Sequence, residues 1–318
     1  MRIWVICAAA MLGLVSMAKA EPLELKQVAA DAKWVVHIDV DAMRGSSVIE
    51  KAYYKVSDAL KGAEQHLDKV RDYFGMDLRN DLHGVTVYSK TIGRPDGVLI
   101  VYANVDQKML LEKAERAPDH KALKYGAYEL HSWIDAKGKK VEHPVAGTFY
   151  KPNVIVFAPT FDALKAALDV LDGKSPSLAG KGSPLAAEIP AGTMVLARAV
   201  GLAGAKLPWK SPLVTQSDTF SLALGESQGQ SFADAKLVTK SAETAQQVKA
   251  VVDGARAMAE LQHGNDAEAM KLVRKFKVNA DDKTICAEFR APAEEVWAQI
   301  EKAWEQVAKH RKQRAGKR

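Results

Sequence analysis

Gly84-Val85-Thr86-Val87-Tyr88-Ser89-Lys90 is followed, past Gly93 and Pro95, by Gly97-Val98-Leu99-Ile100-Val101-Tyr102-Ala103-Asn104. β-Branched and aromatic residues fill both runs, and the residues between them cannot continue a strand. The pair reads as a β-hairpin. Val98-Leu99-Ile100-Val101 is apolar without alternation, as is Val154-Ile155-Val156-Phe157 further on. Such strands need cover on both faces. The sheet that holds them is therefore expected to be sandwiched, in part by the other half of the chain.

Working outward, the hairpin is preceded by a strand at 34–40 and a long helix over 48–74. Ser47 with Glu50 three residues on forms a capping box for that helix. Behind the hairpin, Asp106 caps a helix over 107–116, which stops before Pro118. Strands are expected at 125–134, 147–150 and 153–158. A helix over 161–171 follows, capped by Thr160 and ended at Gly173.

Residues 172–188 are rich in Gly, Ser and Pro and keep no apolar period, so they read as a linker. Beyond them the order of elements recurs. A strand at 193–200 is followed by a Gly/Pro-containing loop at 201–212. A hairpin comes next at 219–224 and 231–239, then a helix over 242–261 capped by Ser241, a second helix over 266–272, strands at 273–278 and 283–290, and a closing helix. That last helix starts at Pro292 and stacks Val296, Trp297, Ile300, Trp304 and Val307 on one stripe. The expected architecture is α+β: two tandem related units, each a mostly antiparallel sheet with helices packed on it. The divisions are a first unit over 21–173, a linker over 174–188, a second unit over 189–308 and a basic tail over 309–318.

The first 20 residues have the three parts of an export signal. Arg2 begins it, residues 3–17 are apolar, and Ala18-Lys19-Ala20 supplies small residues for cleavage before Glu21. The expected location of the mature chain is a periplasm or the outside of the cell. No later stretch reaches the roughly 20 apolar residues of a membrane helix. Cys7 would leave with the leader, so Cys286 has no partner for an intramolecular disulfide. Its readings are a reactive thiol, a bridge between copies or a small packed residue, the last being the default for a free cysteine.

The whole chain carries 45 Lys+Arg against 39 Asp+Glu. Six of those basic residues lie in 309–318, with no acid, and the body over 21–308 is slightly acidic. A nucleic-acid-binding domain would carry its basic cluster on the fold itself, so specific nucleic-acid binding is not expected. The tail suits contact with an anionic surface or, more blandly, a solvated helix end.

One constellation carries candidate chemistry. In Val36-His37-Ile38-Asp39-Val40-Asp41, strand alternation places His37, Asp39 and Asp41 on one face. Imidazole and carboxylate ligands suit a divalent metal such as Zn or Mn, and a metal-dependent hydrolase follows as the alternative function. Against it, residues spaced along one flat strand diverge, and Asp39 or Asp41 is equally suited to ending the strand and capping a turn. His131 and His143 flank a loop and are candidates to meet across a hairpin. Gly225-Glu226-Ser227-Gln228-Gly229 matches the nucleophile-elbow motif by letter, but it lies between two strands with no helix after it, which favours a hairpin turn. Gly180-Lys181-Gly182-Ser183 lacks the spacing of a phosphate loop. Trp209, in a Pro-flanked loop, reads as a plug over the second sheet. No cofactor is called for.

The leader, Ala29-Ala30-Asp31-Ala32 before a strand ending in Asp39-Val40-Asp41, and the repeated order of elements together resemble uncharacterised secreted proteins of planctomycete-like bacteria. The resemblance implies export and this outline, and brings neither an activity nor functional residues. The expected function is that of an exported, non-enzymatic envelope or periplasmic protein that binds a small molecule or a protein partner.

Overall fold

The computed structural model describes residues 23–59, 68, 71–72, 75–93, 96–135, 143–180, 182–203, 205 and 215–315. The expected leader, Trp209 and most of the expected helix beyond Ala59 lie outside these residues.

The chain forms an α+β fold on one antiparallel sheet of twelve strands. At its centre lies β1 (Trp34–Asp39), with β2 (Leu82–Ser89) on one side and β8 (Thr193–Val200) on the other. Outward from β2 come β3 (Val98–Ala103), β7 (Val154–Ala158), β6 (His143–Lys151), β5 (Tyr128–Asp135) and β4 (Lys121–Tyr125). Outward from β8 come β9 (Ser217–Ser227), β10 (Gln230–Thr239), β12 (Thr284–Pro292) and β11 (Lys277–Asp281). The sheets expected for the two halves are thus joined edge to edge, from Trp34 opposite Ala199 to Ile38 opposite Val195. An open edge would leave a row of backbone donors and acceptors unpaired, and this join satisfies both edges at once.

Among the described residues seven α-helices accompany the sheet: α1 (Val40–Arg44), α2 (Ser47–Ala59), α3 (Gln107–Glu115), α4 (Phe161–Leu171), α5 (Ala242–His263), α6 (Ala267–Lys275) and α7 (Ala293–Ala315). Asp106, Thr160, Ser241 and Asp266 each accept a backbone N–H from the residue three further on, at the starts of α3, α4, α5 and α6.

The main core lies on the front face. Val35, Tyr88, Ile100, Val156 and Leu196 point there from adjacent strands and meet Leu164 and Leu168 of α4. On the back, Leu237, Ile285 and Ala287 meet Ala245 and Val248 of α5. α6 and α7 lie on that side too and are tied to each other through Lys275–Glu295 and Lys302–Asp266. α7 in turn reaches α2 through Lys51–Glu294 and Lys55–Glu301.

Two differences from the sequence reading have clear causes. The single strand expected over 125–134 is a hairpin: Tyr125 pairs with Tyr128. The turn between them uses Gly126 at φ 58, which a residue without Cβ adopts freely. The Gly/Ser/Pro stretch after α4 belongs to the core. Leu178 and Leu185 are each 1% exposed. Leu178 N–H donates to Val28 O at 2.8 Å, and Ala30 N–H to Pro176 O at 3.1 Å. Two isolated leucines in polar surroundings show no period, so composition hides them.

Arg198 fixes the end of this stretch. It is buried on the front face, and its guanidinium donates to the carbonyls of Leu185 at 2.9 Å, Ala187 at 2.6 Å and Glu188 at 2.7 Å. Its Nε–H donates to Ser221 Oγ at 3.3 Å. No other side chain carries donors in a planar fork that serves such a fan of acceptors. Arg198→Met is therefore expected to lower the unfolding free energy by about 3 kcal/mol, and Arg198→Lys to recover only part of it. Denaturant midpoints at constant m-value measure both, and a loss under about 1 kcal/mol for the Met variant would show that water takes over the carbonyls.

Candidate functional site

The structure separates the expected metal triad. β1 ends at Asp39, whose Oδ1 accepts the N–H of Ala42 at 2.8 Å and so caps α1. Asp41 is carried into the first turn of that helix. There its carboxylate accepts from His83 Nδ1 at 3.0 Å and pairs with Arg44. Among the described residues no group of three or more His, Cys, Asp or Glu side chains is placed to hold a metal ion. The capping alternative describes Asp39, and the metal reading of His37, Asp39 and Asp41 is corrected by the turn of the chain at Val40.

His83 resembles a catalytic imidazole only at first. Asn104 Nδ2 lies 3.0 Å from its Nε2, so Nε2 accepts and Nδ1–H donates to Asp41. Both ring nitrogens are occupied, which leaves no lone pair for a substrate proton. Arg44 extends the bracket to the carbonyls of Arg79 and Leu82. The cluster ties α1 to the start of β2.

His37 is different. It is 3% exposed, its Nδ1 lies 2.8 Å from Thr86 Oγ1, and its Nε2 has no protein partner. Thr86 Oγ1 lies 3.5 Å from Tyr102 OH, which donates to Gln27 Oε1. Gln27 Nε2–H donates to Glu24 Oε2 at 2.9 Å. With the phenol proton committed to Gln27, Thr86 donates to Tyr102 and accepts from His37 Nδ1–H. Burial lowers the imidazole from its ordinary 6.5 to about 4. His37 is thus a neutral core histidine at the end of a polar chain that starts near the surface.

Glu226, inside the Gly225–Gly229 motif, has a function the letter pattern does not reveal. β9 and β10 are joined by Gln228 and Gly229, both at positive φ, 51 and 71, the signature of a tight hairpin turn. Ser227 is therefore no elbow nucleophile. The Glu226 carboxylate accepts from Ser46 Oγ at 2.7 Å, from Ser47 Oγ at 2.9 Å and from the N–H groups of Ser47 and Val48 at 3.1 and 3.4 Å. Burial works to raise its pKa, but these hydrogen bonds together carry it below the ordinary carboxylate value. A side chain from the second half thus caps α2 of the first. Sequence shows a capping box at Ser47 and Glu50, but a cap supplied from about 180 residues away has no local signal.

The histidine pair expected across a hairpin is also reassigned. His131 stands opposite Gly147, and His143 opposite Asp135. His131 meets His120 instead, with Nδ1 and Nε2 3.1 Å apart. The ring centroids are 5.3 Å apart and the planes 20° from parallel. Rings separated by that much at so short a contact meet edge to edge through an N–H···N hydrogen bond, rather than face to face.

The strongest candidate surface is a trough of about 570 Å³ on the front face of β8, β9, β10 and β12. Its floor follows the strand register. Arg198, Ser221, Lys236 and Cys286 form one row, and Ala223, Asp234 and Glu288 the next. Pro184 and Pro190 form a wall. Arg290 grips Asp234 with two contacts of 2.6 Å and lies 5.0 Å from the Phe232 ring centre. Charges of both signs line an otherwise small and apolar floor, and no nucleophile–base pair converges there. Cys286 opens onto this trough, half-buried, so it is neither deeply packed nor fully free.

No family model matches the chain, and no curated protein matches it. Among solved structures, crystal form I of TP0453, a Treponema protein, is similar at TM-score 0.44 and 10% identity, over 88% of this chain and 97% of that one. Crystal form III of the same protein gives 0.42 and 10%, over 89% and 99%.

His37 supplies a test of the interior. Its folded pKa is depressed, so the folded state resists a proton that the unfolded chain takes up below 6.5. Its contribution to stability is complete above that value and drains away as pH falls towards about 4, amounting to roughly 3 kcal/mol. His37→Leu is expected to flatten the pH dependence of unfolding between 6.5 and 4 by close to one proton. An unchanged slope in urea melts across that window would show that His37 is not held neutral.

Proposed function

We propose that this chain is an exported protein without catalytic activity of its own, and that it binds its ligand in the trough of the second half. The trough itself carries the proposal. On the first half, the front face is closed by α4, with Leu164 and Leu168 fully buried. On the second half the element that follows the corresponding pair of strands, α7, lies on the back, and no described helix covers the front. A concave, mainly apolar surface with a few placed polar groups is the usual form of a ligand site. Arg198 makes its floor rigid through the carbonyl fan. Rigid support of this kind suits binding, because less ordering is needed when a ligand arrives.

Two further features support the reading. The outward strand order β2-β3-β7-β6 on one side and β9-β10-β12-β11 on the other supports an internal duplication in which one copy is closed and the other open. The leader at 1–20 supports export to a periplasm or beyond. No described helix is long and apolar enough to cross a membrane.

Protein purified from a cell envelope fraction is expected to have the mass of a chain starting at Glu21; a retained leader would overturn processing. Ser221→Trp fills the floor of the trough. Native mass spectrometry is expected to detect a bound species on the wild-type chain and none on this variant, with melting temperatures within a few degrees. A ligand that persists on the tryptophan variant would move the site elsewhere. Iodoacetamide should label Cys286 several-fold faster once the ligand is removed, as the trough's own readout.

A further inference from the structure

Arg198 is a buried cation without an anion. It is 4% exposed, yet every acceptor of its guanidinium is neutral: the carbonyls of Leu185, Ala187 and Glu188 and the hydroxyl of Ser221. Buried charges are ordinarily paired with an opposite charge. Among the described residues Arg198 forms no ion pair, and burial alone acts on its pKa, lowering it.

The strand register carries this positive charge into the trough. Arg198 stands opposite Ser221, Ser221 opposite Lys236, and Lys236 opposite Cys286. One row across four strands thus holds two cations and no acid. Ser221 Oγ accepts from Arg198 Nε–H at 3.3 Å, which leaves its own O–H free to donate. Lys236 is exposed and has neither a hydrogen bond nor an ion pair among the described residues. The acids of the floor stand one row along, and each faces a basic residue there. Asp234 is held by Arg290 through two contacts of 2.6 Å. Glu288 stands opposite Lys277 of β11. Like charges lining a low-dielectric cleft add their fields, so the pair of Ser221 and Lys236 offers an anion both donors and charge.

We propose that the trough takes a small monocarboxylic acid with an apolar body, its carboxylate accepting from Ser221 O–H and Lys236 Nζ beside Arg198. The assignment rests on the trough being the ligand site. Two donors on adjacent strands match the two oxygens of a carboxylate. A phosphate group brings three strong acceptor oxygens and a larger charge. The row has too few donors for it, and Glu288 is an unfavourable neighbour. Arg198 stays on its carbonyls and acts through its field and through Ser221. The apolar body has Ala223 beneath it and Pro184 and Pro190 beside it. A volume of about 570 Å³ lies in the range of small-molecule sites.

The test is isothermal titration of the mature chain, with each acid set against the alcohol that shares its body: hydrocinnamate with hydrocinnamyl alcohol, butyrate with butanol, indoleacetate with tryptophol. At least one acid is expected to bind at millimolar concentration, about tenfold more tightly than its alcohol. Lys236→Met, at an exposed position, keeps the apolar stem and removes the charge. It should abolish most of that preference and leave the alcohol's affinity and the circular dichroism unchanged. Ser221→Ala should weaken the acid several-fold. Acids that bind no better than their alcohols, a preference undiminished in Lys236→Met, or no binding across the panel would each overturn the proposal. The trough itself is tested separately. It falls if an acid binds Ser221→Trp as tightly as the wild type. It stands, and the acid class falls, if the species that Ser221→Trp displaces carries no carboxylate.

Discussion

The pairing of β1 with β8 governs this molecule. Each strand opens its half of the chain, and each would otherwise be the exposed edge of a smaller sheet. Joined from Trp34–Ala199 to Ile38–Val195, they become interior strands of one sheet. Backbone groups in such a position must all find partners, and the antiparallel ladder provides them without side-chain chemistry. Once the join exists, the path of the chain after α4 is constrained. It must cross the front face and deliver Thr193 beside β1. The stretch from Asp172 to Pro190 does this with Leu178 and Leu185 turned inside. Arg198, placed by β8 itself, holds the last carbonyls of that path.

Glu226 extends the same join at the end of the strands. The hairpin of β9 and β10 reaches past β8 to the start of α2, where four donors need an acceptor. Carboxylates suit that end of a helix because of the dipole as well as the hydrogen bonds. The halves are therefore linked by ladder, by cap and, on the back, by the ion pairs of Lys51 and Lys55 to α7. The exposed ion pairs contribute little individually, typically under about 1 kcal/mol. The ladder and the part-buried cap hold the arrangement.

How much of this is legible from residues alone follows from the range of each interaction. Hairpins such as β2–β3 and β9–β10 announce themselves through local alternation and turn residues, and so do the caps at Asp106, Thr160 and Ser241. α+β character follows from those. The edge-to-edge join leaves no trace, because a strand that will lie between two neighbours looks the same as one with a single neighbour until its partner is known. The metal triad breaks at one residue. His37, Asp39 and Asp41 share a face only if the strand continues, and Asp39 begins a helix instead. His120 and His131 meet because β4 exists, and β4 is hidden in a sequence whose run from Tyr125 onward looks like one strand.

The front and back faces finish differently for a reason visible in the order of helices. α4 follows β7 and folds onto the front, where Leu164 and Leu168 fill the space above Ile100 and Val156. α7 occupies the matching place after β12 but lies on the back, beside α2, where Lys51 and Lys55 pair with its Glu294 and Glu301. Its Trp297, 9% exposed, packs there rather than above the trough. One helix on the front and a crowd on the back leaves a bare floor beside Arg198. The open trough is thus a consequence of where α7 lies: it packs with α2 and α6 on the back, and among the described residues no second helix covers the front of β8, β9, β10 and β12 as α4 covers the first half.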